Sequence, residues 1–233
     1  MRSGDSVNNV EIAAEEISSR IFLLESFTTE SIRALRREFS KRLAKSPPRF
    51  VVKVALLLLD KRTMEHRFVA YELVCHHRAA LASLGEKDIR LFGNGIDSWG
   101  SVDMFACYLA GPAWRENQIP DKLIHSWARS RNRWWRRAAL VSTVPLNSKA
   151  RGGRGDTPRT LEVCARLVAD RDDMVVKALS WALRELSKRN PEAAEQFLEE
   201  HQSLLASRVL REVRNKLSTG LKNPRLRDAG KVR

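Results

Sequence analysis

The chain is predicted to be all-α, a solenoid of stacked helical repeats, and three observations carry that prediction. Apolar residues recur at helical spacing along nearly the whole sequence. No stretch keeps the strict two-residue alternation, bounded by hairpin turns, that marks a half-buried strand. Three helix starts also look alike: Phe68-Val69-Ala70-Tyr71, Trp135-Arg136-Arg137-Ala138 and Val175-Val176-Lys177-Ala178. With Val102-Asp103 taken as a fourth, their third positions are 70, 103, 137 and 177, at intervals of 33, 34 and 40 residues. Intervals of this size suit helix pairs that bury their apolar faces on one another. The longest contains a loop-like insert, Asn147 to Pro158, rich in Gly and Arg. In such a stack Asp103, Arg137 and Lys177 should line one face.

Taken in order, Val10 to Leu24 is amphipathic, and Thr28-Thr29-Glu30-Ser31 offers cap residues for a second helix from Ile32 to Leu43. Pro47-Pro48 ends that helix. Val51 to Leu59 is apolar all round and reads as a fully buried helix, although its length also allows a strand. A further helix is expected from Arg67 to Leu84, and Gly93-Asn94-Gly95 makes a break after it. Arg208 to Leu217 reads as the helix that closes the stack. Residues 1–217 are therefore expected to be one domain, and 218–233 a basic, disordered tail that either adds non-specific affinity for a polyanion or only solubilises.

The chain carries 42 Lys and Arg against 28 Asp and Glu, a formal charge of +14. That excess favours nucleic acid or an anionic membrane surface as partner. A membrane span is not expected, because the longest apolar run, Val54 to Leu59, is far too short. Met1 to Asn9 has no apolar core after its basic start, so no secretion signal is read there. Cys75, Cys107 and Cys164 make no CxxC pair and are expected to be reduced, mostly buried thiols of a cytoplasmic protein. Five histidines without a spaced cluster give no expectation of a metal.

Chemistry is best sought at Trp99 and Asp103, four residues apart and so on one side of a helix turn. They flank an inner stripe of Val102, Phe105, Ala106 and Leu109. Two readings of Asp103 stay open from spacing: first-turn helix chemistry after Ser98 or Ser101 as cap, or a carboxylate that stabilises a developing cation or orients water. From Arg129 to Arg137 there are five arginines and no acid. Arg133 and Arg137 point away from the stripe of Trp135, Ala138, Ala139 and Ser142 and suit phosphate oxygens, while Trp134 and Trp135 suit packing better than base stacking. In the last repeat Val175, Ala178, Leu179, Ala182 and Leu186 form the inner stripe. Lys177, Trp181, Arg184 and Lys188 fall about 120–180° away from it.

Three segments, Trp99-Gly100-Ser101-Val102-Asp103, Trp134-Trp135-Arg136-Arg137-Ala138-Ala139 and Lys177-Ala178-Leu179-Ser180-Trp181-Ala182-Leu183-Arg184-Glu185, resemble the AlkD-type DNA alkylation repair glycosylases in order and spacing. The similarity runs from about Val51 to Leu210. It implies HEAT-like repeats whose concave basic face cradles duplex DNA, and excision of cationic N3- and N7-alkylated purines without a metal, a cofactor or a base-enclosing pocket. By position, the family's catalytic Asp matches Asp103, its active-site Trp pair matches Trp99 and Trp181, and its DNA-gripping Arg matches Arg137. Arg133, Lys177 and Arg184, turned from the inner stripes by helical count, are the further DNA-binding cations expected. The sequence departs from the pattern where Ser98 stands for a second Trp, Gly100 for an Asp, and Met174 or Val175 for an aromatic. The expected protein is a monomeric, monofunctional DNA glycosylase of base excision repair, cytoplasmic, bacterial-type and nucleoid-associated through its DNA. The alternative is a non-catalytic HEAT-like-repeat binder of damaged or branched nucleic acid.

Overall fold

The computed structural model describes residues 3–224, with side chains from residue 9, and regular structure among the described residues is helical throughout. The expected tail from residue 225 onward lies outside them. The chain divides into two compact units, one ending at Leu109 and the other beginning at Ala110.

The first unit holds α1 (Ser3–Phe22), α2 (Thr29–Arg42), α3 (Pro48–Leu59), α4 (Met64–His76), α5 (Arg78–Ala82), α6 (Glu86–Phe92) and α7 (Trp99–Phe105). Helix α3 packs on α1 and α4, and α4 also on α2 and α7. Thr28 caps α2 reciprocally with Ser31, so that helix starts three residues earlier than its apolar pattern suggests. Pro48 takes the first position of α3, where a missing amide hydrogen costs nothing. Along α3 the side chains of Val51, Val52, Val54, Ala55 and Leu58 are buried while Lys53 is exposed, which settles helix over strand and corrects the all-round burial. The single helix expected from Arg67 to Leu84 is broken. His77 leaves helical geometry (φ −103°, ψ 92°), and its Nδ1 accepts the Ala80 amide at 3.0 Å, ending α4 and capping α5.

A π turn, Ala106–Ala110, follows α7. The second unit then holds α8 (Gly111–Arg115), α9 (Asp121–Ala128), α10 (Arg133–Val141), α11 (Val144–Asn147), α12 (Thr157–Arg166), α13 (Asp173–Leu186), α14 (Pro191–Glu200) and α15 (Ser207–Thr219). Helices α9 and α10, α12 and α13, and α14 and α15 pair, while α10 packs on α13 and α13 on α15. That is the stacked helix-pair repeat the spacing predicts. Val175, Ala178, Leu179, Ala182 and Leu186 are all buried. The last helix runs two residues past Leu217 and stops at Gly220, whose left-handed φ of 74° is easy only for glycine.

Candidate nucleic-acid site

In the first unit the site helix begins at Ser98, whose hydroxyl accepts the Ser101 amide at 3.3 Å. The Ser101 hydroxyl in turn accepts the amides of Asp97 (3.2 Å) and Ser98 (3.1 Å). With Trp99 as the first helical residue, Asp103 lies beyond the first turn. The attraction of a helix N-terminus for an acid has faded there, and the cap is already complete without Asp103. First-turn chemistry therefore does not account for it. Asp103 is half-buried, Trp99 is 63% exposed, and Val102, Phe105, Ala106 and Leu109 are buried beneath them.

What holds α7 in place is the loop in front of it. The buried guanidinium of Arg67 donates to the carbonyls of Asn94 (3.1 Å) and Gly95 (3.2 Å) and to the Tyr71 hydroxyl (2.7 Å). The Tyr71 hydroxyl in turn donates a hydrogen bond to the Phe92 carbonyl at 2.8 Å. Burial pushes this phenol up to about 12, so it stays a donor. Gly95 turns the chain at φ 70° beside Arg67. Tyr71→Phe takes the hydroxyl donor from the Phe92 carbonyl and leaves Arg67 with only its two loop carbonyls, and should cost about 1–3 kcal/mol in denaturant unfolding; an unchanged midpoint would show that the clamp is slack. Gly100 also has a local reason. A Cβ there would sit 3.3 Å from Cε of Met64, where the start of α4 comes close.

One cation of this unit escaped the sequence reading. Glu72 is buried and accepts Nε of both Arg33 (3.0 Å) and Arg36 (2.9 Å). Arg36 is itself buried, so the carboxylate is neutralised inside, and the surplus positive charge surfaces at Arg33, whose side chain is 42% exposed. Arg33 also donates to the Tyr108 hydroxyl (3.4 Å) and lies over the Phe68 ring (5.6 Å). A signal was there: Arg36 shares an inward face with Ile32, Leu35 and Phe39, a position that demands a buried acid.

In the second unit the arginines are less free than their sequence suggests. Arg137 is only 6% exposed, not turned outward, because Nη1 donates to the Met174 carbonyl at 2.6 Å. Arg136 pairs with Asp170 at 2.7 Å, and Arg133 stands 3.6 Å from Asp172 with its guanidinium over the Trp134 ring. The acid-free run thus receives its acids from the turn before α13. Arg129 and Arg131 are exposed. Trp135 packs against Trp127, ring centres 5.0 Å apart, as a packing residue should.

Lys177 (2.6 Å) and Arg208 (3.1 Å) both reach the Asp173 carboxylate, and Arg137 adds its field. The Lys177 bond above all, with these charges, holds that carboxyl below its ordinary range. Arg137, Lys177 and the unforeseen Arg208 therefore meet at the N-terminal end of α13. Arg184 does not join them. It lies in the α13–α15 seam, where Nε donates to the Ser180 hydroxyl (3.2 Å) and Glu212 is 4.0 Å away, and burial pulls its pKa down. Trp181 is half-buried on α13. Asp173→Asn removes the one carboxylate shared by Lys177 and Arg208, so DNA binding should tighten and the slope of log K against log salt should steepen by about one. Weaker binding would exclude this cluster from the DNA surface.

Residues 26–217 match the family described as DNA alkylation repair enzyme. The chain belongs to that family. The match takes in every candidate residue above and stops short of the basic tail. Family membership makes repair of alkylated DNA the general function and DNA the partner, in keeping with the charge of +14. No curated protein sequence matches the chain. Among the described residues no helix is long and apolar enough to cross a membrane.

Proposed function

We propose that this protein is a monofunctional, monomeric DNA glycosylase that removes cationic N3- and N7-alkylated purines from duplex DNA, using residues 1–217 as one domain. The observation that carries the reading is Asp103: a half-buried carboxylate past the first turn of a clamped helix, beside an exposed indole, in a basic DNA-repair protein.

The chemistry follows from the lesion. An alkylated purine already bears a positive charge, so the C1′–N bond can break with its electron pair leaving on the base, which departs neutral. Positive charge then grows on C1′ and the ring oxygen of the sugar. Asp103 opposes that charge and holds the water that adds to C1′, whose proton is lost to solvent. Trp99 and Trp181 offer indole faces to the cationic nucleotide, at about 0.5–2 kcal/mol each. Arg133, Arg137 and Lys177 take phosphates, Arg184 stays in its seam with Ser180 and Glu212, and Arg33 adds a grip near α7. No metal or organic cofactor enters the scheme. The protein is expected to act in the cytoplasm, on nucleoid DNA.

Chromatography of bases released from duplex DNA carrying defined N3- and N7-alkylpurines tests the proposal. Free alkylated base, with an abasic site left behind, is the expected result. Tight binding with no base released would leave a non-catalytic binder of damaged or branched nucleic acid in its place.

A further inference from the structure

The Gly- and Arg-rich insert belongs to none of the machinery above, and it is not a slack loop. Residues Lys149–Arg151 form a 3₁₀ turn. Three arginines from the surrounding helices hold the loop by its carbonyls or its flanks. Arg115 donates to the carbonyls of Pro145 (3.3 Å) and Arg151 (2.5 Å). Arg189 donates to those of Asn147 (2.7 Å) and Gly153. Arg159 ties Asp156 at 2.6 Å to the carbonyl of Trp114 at 2.8 Å. The buried Asn147 amide adds bonds to Thr160 (2.9 Å) and from the Asp156 amide (3.1 Å). Gly153 is packed so closely that a Cβ would lie 2.7 Å from the Pro145 carbonyl oxygen and 2.7 Å from the Ser148 amide nitrogen.

Two consequences follow. The carbonyl oxygens of 146, 148 and 149 are also taken, by the amides of Gly155, Arg151, Gly153 and Gly152, so most of the negative ends of the loop's peptide dipoles are turned inward. What faces out is cationic: Lys149 is exposed and the Arg154 side chain is 71% exposed, reaching the two Glu116 carboxylate oxygens only at 3.4 and 3.5 Å. A rigid loop that offers positive charge loses little entropy when it binds. Its clamp Arg189 lies just past the C-terminal end of α13, whereas Lys177 and Arg208 meet at the N-terminal end. Fourteen helical residues separate the two ends by about 21 Å, or about six nucleotide steps along a strand.

We propose that the 147–156 loop is a second, preorganised phosphate-contact element that grips the DNA backbone at the opposite end of α13 from the Lys177–Arg208 cluster. The proposal rests on duplex DNA as the partner, not on catalysis, so it is tested on undamaged DNA. The double variant Lys149→Glu, Arg154→Glu is titrated by salt against an undamaged duplex of some thirty base pairs. A second double variant, Lys41→Glu, Lys45→Glu, makes the same charge change at exposed residues of the first unit. The loop variant should flatten the log K against log salt slope by about two, one unit for each lost contact, and the control should not. Equal slopes for loop variant and wild type, or an equal loss in the control, would overturn the proposal. So would a loss seen only on vesicles of equimolar phosphatidylserine and phosphatidylcholine, which would make the loop a membrane contact. A failure to release base in the separate activity assay bears on the glycosylase reading and leaves this measurement intact.

Discussion

Asp103→Asn should lower release of an alkylated purine by about 10²–10³-fold in single-turnover assays at saturating protein, the usual loss for one preorganised electrostatic group. The change is isosteric, and the cap of α7 is made by Ser98 and Ser101 without the Asp103 carboxylate, so the helix should form as before. Affinity for undamaged duplex should not fall, since the variant removes a negative charge from a DNA-binding protein and a phosphate backbone repels such a charge. The two results together separate chemistry from binding. Equal release by variant and wild type would remove Asp103 from the reaction.

Arg137→Ala should act twice. Loss of the 2.6 Å bond to the Met174 carbonyl takes a charged donor from the start of α13 and should cost about 1.5–3 kcal/mol of stability. Loss of its charge beside Lys177 and Arg208 should flatten the salt slope of DNA binding by about one. Thermal unfolding reads the first effect, and salt titration at a temperature where both proteins are folded reads the second. A destabilised variant with an unchanged slope would make Arg137 a residue that positions α13, with no phosphate contact of its own.

Much of this molecule is legible in the sequence because helices announce themselves locally. The stripes at Val102, Phe105, Ala106 and Leu109 and at Val175 to Leu186 are buried as their spacing requires, and the repeat interval picked out helices that do pair and stack in the second unit. Thr28, Ser98 and Gly220 mark helix ends by residue type. The resemblance carried by Trp99 to Asp103, Trp134 to Ala139 and Lys177 to Glu185 foretold the family that residues 26–217 match.

The fate of the charges was not legible. Five arginines without a local acid look free, yet Asp170 and Asp172 reach Arg136 and Arg133 from about 35 residues away, and a carbonyl holds Arg137. Arg184 falls on the outer side of α13 by helical count, and the seam with α15 takes it in because Ser180 and Glu212 are there. The insert reads as loop-like by composition, and its fixing by Arg115, Arg159 and Arg189 comes from residues outside it. By itself, then, the sequence determined the helices, their repeat and the residue types at Trp99 and Asp103, because backbone periodicity and capping act over a few residues. Only the tertiary structure decided which cations still face outward: an ion pair is a contact in space, and its partner can come from any part of the chain.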